Sequence, residues 1–243
     1  MKNILLTVFS VFVYLSSFSQ NATITPLNNS FDSELIKNEI YEMNWFMEID
    51  TSKIEIGKVK TEIKRIKNNI SIITSVKLNQ VQTKWIDSTL ARVSDLKPIY
   101  HSSYNQQRDM VLNFDEEVTG YYFDKKTNIK SEISEITTGS YFDSNIYPQL
   151  IRWLPLNNEY HKTISIFDYN PSTKTGIIKA FIKNVEKGKM PGNGDRDVWI
   201  VKMTDDISDN KAIMTFYIDS NNRQIIRQEV DIQGRKMVMQ LIN

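Results

Sequence analysis

The sequence predicts a mainly β protein, built as one curved antiparallel sheet (an open half-barrel) wrapped around one short helix. Three observations predict it. Many short segments alternate apolar and polar residues with a period of two and are separated by turn residues. One stretch instead places Tyr147, Leu150, Ile151 and Leu154 at i, i+3, i+4 and i+7, the spacing of a single helical face. The middle strands carry apolar residues on both parities, as in Val198-Trp199-Ile200-Val201 and in Ile213, Met214, Phe216 and Tyr217. Strands of that kind are covered on both faces. A sheet this long must curl, and the helix is the expected filler of its concave side.

Residues 1–19 read as a signal peptide. Lys2 supplies the positive end, Ile4 to Leu15 an apolar run of about a dozen residues, and Ser17 and Ser19 the small residues before a cut ahead of Gln20. The alternative is an uncleaved anchor, which the short run and the polar residues after it disfavour. Residues 20–243 are expected to form one β-rich domain, with no linker, low-complexity tract or repeat inside it.

Gln20 to Ser30 is a polar lead-in, and Phe31 to Ile40 has room for a short helix turning Phe31, Leu35 and Ile36 inward. Tyr41 to Ile49 is an aromatic-rich strand. Ile54 and Ile56 alternate with Glu55, and Val59, Thr61 and Ile63 with their charged neighbours. The parity changes at Gly57, as at a bulge. Ile70 to Val76 is a strand, whereas Val81 to Val93 is ambiguous between strand and helix. Met110, Leu112 and Phe114 form a strand that pairs with Val118 to Phe123 across Asp115–Glu117. Ile129, Ser131 and Ile133 form the next strand.

Pro148 suits the first turn of the helix, and Pro155 prevents its continuation beyond Leu154. Strands then follow at 160–168, 176–185, 196–204, 212–219, 223–232 and 235–242, punctuated by Asn170-Pro171, Pro191 to Gly194, Asp209-Asn210, Ser220 to Asn222 and Gly234. Lys187-Gly188-Lys189 reads as a solvated turn.

Composition excludes several functions. Without residues 1–19 the chain has 29 basic and 29 acidic residues, against the basic excess of a nucleic-acid binder and against attachment to a membrane by charge alone. No later run reaches the 18 apolar residues of a spanning helix. With 0 Cys there is no lipid-attachment cysteine and no disulfide.

The two histidines, His101 and His161, stand in no metal-ligand spacing and read as surface or strand-end residues. Ser165, His161 and Asp168 make a hydrolase triad on paper only, for no nucleophile elbow is present. Asn193, Asp195 and Asp197 resemble the start of a calcium loop, but Val198 and Trp199 follow where a Gly and a later Glu are needed, so a wet hairpin is the better reading. Asp115, Glu116 and Glu117 read as a charged hairpin tip. Trp153, beside Arg152, fits a lipid-facing aromatic or the rim of an ordinary core.

Leu96-Lys97-Pro98, Arg108 with Asn113-Phe114-Asp115, Tyr141-Phe142-Asp143-Ser144, Tyr147-Pro148, Leu150-Ile151-Arg152 and Leu154-Pro155-Leu156 together resemble the DUF3108 group of exported bacterial proteins. That group is similar in fold to the LolA-like lipoprotein carriers. The resemblance implies an open curved sheet around a short helix in the cell envelope, in a shape whose relatives hold acyl chains or lipoproteins. No ligand-binding residue is carried over by it.

The leading expectation is therefore an exported, non-enzymatic protein, free of cofactor and metal. It would hold a lipid, an acyl chain or an envelope partner such as a lipoprotein in an apolar groove. Tyr147, Leu150, Ile151, Trp153 and Leu154 would line the groove from the helix, and Trp199, Val201, Phe216 and Ile218 from the strands. The alternatives are an interaction module with a filled core, and a hydrolase.

Overall fold

The computed structural model describes residues 22–49, 52–82, 84–190 and 196–242. The predicted signal segment therefore lies outside the described residues. So do Asn193, Asp195 and the Pro191 to Gly194 turn.

The strands are β1 (Glu39–Ile49), β2 (Ser52–Ile66), β3 (Asn69–Leu78), β4 (Trp85–Arg92), β5 (Pro98–Tyr104), β6 (Arg108–Phe114), β7 (Glu117–Asp124) and β8 (Ile129–Ile136). After them come β9 (Phe142–Asp143), helix α1 (Tyr147–Trp153), β10 (Lys162–Tyr169), β11 (Thr175–Lys189), β12 (Asp197–Asp205), β13 (Ala212–Asp219), β14 (Ile225–Ile232) and β15 (Arg235–Leu241). All fifteen strands belong to one sheet, in the order β8 to β1, then β15 down to β9. Neighbours are antiparallel except β9, which runs parallel to β10. Among the described residues, the one non-sequential junction of the meander is β1 with β15, which joins the two halves of the chain.

Local chemistry accounts for most of these boundaries. The bulge expected at Gly57 is present: Trp45 faces Gly57 and Phe46 faces Glu55, so Ile56 is the extra residue. A Cβ on Gly57 would lie 2.3 Å from the Lys77 carbonyl oxygen, so only glycine lets β2 and β3 meet there. Asp209 and Asn210 both adopt left-handed φ in the β12–β13 turn.

Three expectations are corrected. The helix expected over 31–40 shrinks to one 3-10 turn, Ser33–Leu35, because Asp32 caps it and β1 begins at Glu39. Val81 to Val93 resolves as a strand, Trp85–Arg92, paired on both sides. Lys187-Gly188-Lys189 is not a turn. It lies within β11, opposite Trp199, Val198 and Asp197, where the small Gly188 accommodates the Ile200 side chain packed against it.

The sheet rolls without closing into a barrel. Successive β10 side chains point to opposite faces. Ile164 and Ile166 join the core around α1, while Phe167 joins a second cluster with Met110, Leu112, Phe114, Val118, Ile133 and Tyr141. Strands β6–β8 are thereby held across the far face of β10 by side chains, not by ladder hydrogen bonds. Phe114 meets Phe167 edge to face, with centroids 5.6 Å apart at 87°. The edge of β10 is itself covered, by β9 over Ile166 and Phe167 and by Ile24 over Ile164.

Candidate functional site

Helix α1 has seven residues, too few to be stable alone in water. Burial must hold it, and Leu150, Ile151, Trp153 and Leu154 are all at 0% exposure. At about 1.5–3 kcal/mol for each large side chain buried, these four go far towards offsetting the loss of about 1–2 kcal/mol per residue in ordering so short a segment. Polar contacts fix its orientation. The Tyr147 hydroxyl donates to Asp205 Oδ2 at 2.6 Å, and Gln149 Nε2 donates to the Tyr41 hydroxyl at 2.8 Å. Arg152 Nη1 lies 2.7 Å from Glu39 Oε1. Burial, then the Asp205 carboxylate, holds the Tyr147 phenol well above its ordinary pKa.

All nine residues singled out for a groove come together, as expected of a helix filling the concave face: Tyr147, Leu150, Ile151, Trp153, Leu154, Trp199, Val201, Phe216 and Ile218 share one core cluster. They pack against one another. Trp153 lies in the core interior, not at a rim. Trp199 is flanked by the Lys187 ammonium, 5.1 Å from its ring centre, and by Arg223 at 5.9 Å.

The paper triad does not assemble. His161 is exposed, Ser165 is buried within β10, and the Asp168 carboxylate accepts from the Ser144 hydroxyl at 2.7 Å. His101 is where sequence reasoning fails most clearly. It sits inside β5 at 5% exposure, opposite Thr89 on β4, and its Nδ1 donates to Asp143 on β9 at 2.8 Å. The Thr89 hydroxyl donates to the other Asp143 oxygen, and the Asn145 amide donates to Asp143 Oδ1 at 3.2 Å.

The half-buried Asp87, Arg108 and Asp168 lie near this pair and share its electrostatics. Burial works against a charged imidazole, but the Asp143 carboxylate and its hydrogen bond prevail and raise the His101 pKa, aided by Asp87. Asp87 is raised by burial, opposed by Ser103 and His101. Asp168 is raised by burial and by the charge of Asp143, with Ser144 opposing. Chemically the arrangement is a latch: one carboxylate ties β9 to β4 and β5, where the rolled sheet meets itself. Asp143 is 1% exposed and His101 5%, so the pair is closed to solvent in this structure. Among the described residues no group of three or more His, Asp or Glu is arranged to hold a metal ion.

Open space lies elsewhere. A depression of about 700 Å³ surrounds the β3–β4 connection, with Lys58, Lys60, Lys77, Lys84, Val81 and Ile86 in its lining; Lys58, Lys60, Lys77 and Ile86 share the outward face, whereas Val76 and Leu78 alternate to the other. A smaller one, of about 290 Å³, lies on that other face, with Val76, Leu78, Trp85 and Arg108 in its lining. Asn79 positions the connection: its amide donates to Ile56 O and its Nδ2 to Glu55 O, both at 2.9 Å, which clamps the loop onto the β2 bulge. The alternating Lys58 and Lys60 were visible in the sequence. Their convergence with Lys77 and Lys84 depends on strand register, which was not.

Similarity to known proteins lies in the fold. The family model described as "Protein of unknown function (DUF3108)" matches residues 40–240. None of the curated proteins matches. Among solved structures, the chain is similar to a beta-barrel-like protein of the domain of unknown function DUF1849 from Brucella abortus, with 11% identity and a TM-score of 0.51. That likeness covers 84% of this chain and 95% of the other. At this identity it speaks for the fold alone. Among the described residues, no helix is long and apolar enough to cross a membrane.

Proposed function

This chain belongs to the DUF3108 family, and on that premise we propose that it is a non-enzymatic binding module of the cell envelope. Its ligand is hydrophobic: a lipid, or the acyl part of a larger envelope component such as a lipoprotein. The carrying observation is the contrast between two apolar regions. The helix and its facing strands form a packed core, whereas the depression at the β3–β4 connection presents the half-buried side chains of Val81 and Ile86 to solvent. Its volume of about 700 Å³ falls within the range of small-molecule sites, about 300–1,000 Å³. Each methylene buried there contributes about 0.8 kcal/mol, so a short acyl segment suffices for useful affinity.

Two further observations support the reading. The one His–Asp pair among the described residues is closed to solvent and serves the seam where the rolled sheet meets itself, which argues against an enzyme. The leader-like residues 1–19 support export, and the absence of cysteine leaves no residue for lipid attachment through a thioether. The filled core favours one alternative, an interaction module with no small ligand.

The test is native purification, solvent extraction and mass spectrometry, with titration of a fluorescent fatty acid. Bound acyl species, or saturable uptake, are expected. Clean extracts with no uptake would leave the interaction module as the reading.

A further inference from the structure

We infer that the depression at the β3–β4 connection selects an anionic amphiphile, a single acyl-type chain ending in a carboxylate or phosphate whose head is held by Lys58, Lys77 and Lys84. The inference rests on the binding reading above and adds the chemistry of the head.

Register carries the argument. Lys58 and Lys77 stand directly opposite each other in the β2–β3 ladder. Like charges in that position repel, so the pair weakens the ladder unless something anionic sits between or above them. Among the described residues neither is in an ion pair, and neither is Lys84, which stands exposed on the connection. Lys60 differs, because its ammonium lies 2.8 Å from Glu62. The one acidic residue in the lining, Glu42, is the register partner of Lys60. The cationic surplus is thus confined to three lysines beside the apolar side chains of Val81 and Ile86, with Ile86 on the same sheet face as Lys58 and Lys77.

Such a site discriminates at both ends. A small anion without a tail gains nothing from Val81 and Ile86. A neutral chain leaves three ammonium groups without a counter-charge. A long-chain carboxylate or alkyl phosphate satisfies both, with charge-assisted hydrogen bonds at the head and burial along the tail. We commit to the free, monomeric amphiphile and not to a membrane surface, because Val81 and Ile86 lie within a depression.

The experiment is displacement of a fluorescent fatty acid from the full chain by dodecanoate, dodecyl phosphate, dodecanol and dodecyltrimethylammonium. It is repeated with the Lys58→Gln/Lys77→Gln/Lys84→Gln variant and with Val81→Asp. The two anions are expected to displace the probe best. The triple variant, whose fold circular dichroism checks, is expected to weaken them about ten-fold or more and to leave dodecanol unchanged, the size of effect that removing one charge-assisted hydrogen bond produces. Val81→Asp is expected to weaken all four. Equal displacement by all four, or anion binding insensitive to the lysines, overturns the inference and leaves the binding reading intact. Absence of any probe binding overturns both. Flotation with phosphatidylglycerol vesicles without binding of monomers, or displacement by polyglutamate as effective as by dodecanoate, overturns the inference in favour of a membrane surface or an acidic polymer.

Discussion

Replacing Asp143 with alanine removes, in one step, the acceptor shared by the Thr89 hydroxyl, His101 Nδ1 and the Asn145 amide. Each hydrogen bond to a charged group is worth about 1.5–3 kcal/mol, but the three are not independent, and alanine also relieves the cost of burying the carboxylate. Breaking a buried charged pair from one side typically costs about 3–5 kcal/mol, and that is the loss expected here. His101, at 5% exposure, has little access to water as a replacement partner. Against a global stability of about 5–15 kcal/mol, the variant still folds but sits near the edge. With a urea m-value of about 3 kcal/mol/M, the unfolding midpoint falls by about 1 to 1.7 M. Asp143→Asn keeps the size and one acceptor oxygen, so it should lose less. A loss below about 1 kcal/mol for Asp143→Ala would refute the idea that this carboxylate latches β9 to β4 and β5.

The same geometry makes three further predictions. The native pKa values of His101, Asp87 and Asp168 are all raised, so these three groups hold more protons in the folded protein than in the unfolded chain, and the stability they contribute falls as pH rises. The His101 share is complete below about pH 6.5 and disappears as pH climbs through its raised native value. Urea midpoints between pH 6 and 9 should therefore decline, and Asp143→Asn should flatten the decline; a wild-type midpoint that rises over this range contradicts it. Trp153→Ala empties the centre of the core and should cost about 3–5 kcal/mol, read as a fall in Tm by calorimetry. An unchanged Tm would mean the helix is not the plug described. Gly57→Ala drives a Cβ to 2.3 Å from the Lys77 carbonyl oxygen and should cost about 1–3 kcal/mol, with faster amide exchange at Leu78 and Asn79.

Much of the fold is legible in the sequence because strand and helix periods are local. The alternation of Val59, Thr61 and Ile63 places β2, and Pro148 with Pro155 brackets α1 to within a residue at each end. The parity change at Gly57 marks the bulge. Gly188 misleads, because a glycine between lysines looks like a turn until the Ile200 side chain packed against it is known. The seam is illegible for a different reason. His101 and Asp143 are 42 residues apart, and local pattern does not say which strand the edge of a rolled sheet will touch. The lysine cluster lies between these cases: Lys58 and Lys60 declare an outward face, but only register places Lys77 opposite Lys58.

Photo-crosslinking with a diazirine-bearing fatty acid, followed by peptide mapping, tests the central claim most directly. The account predicts adducts within residues 76–86 and on the adjoining strand β2, suppressed by excess dodecanoate. Adducts concentrated instead on Tyr147–Trp153 and on the strands around it would contradict the account, because they would show that the core described as filled opens to receive the ligand.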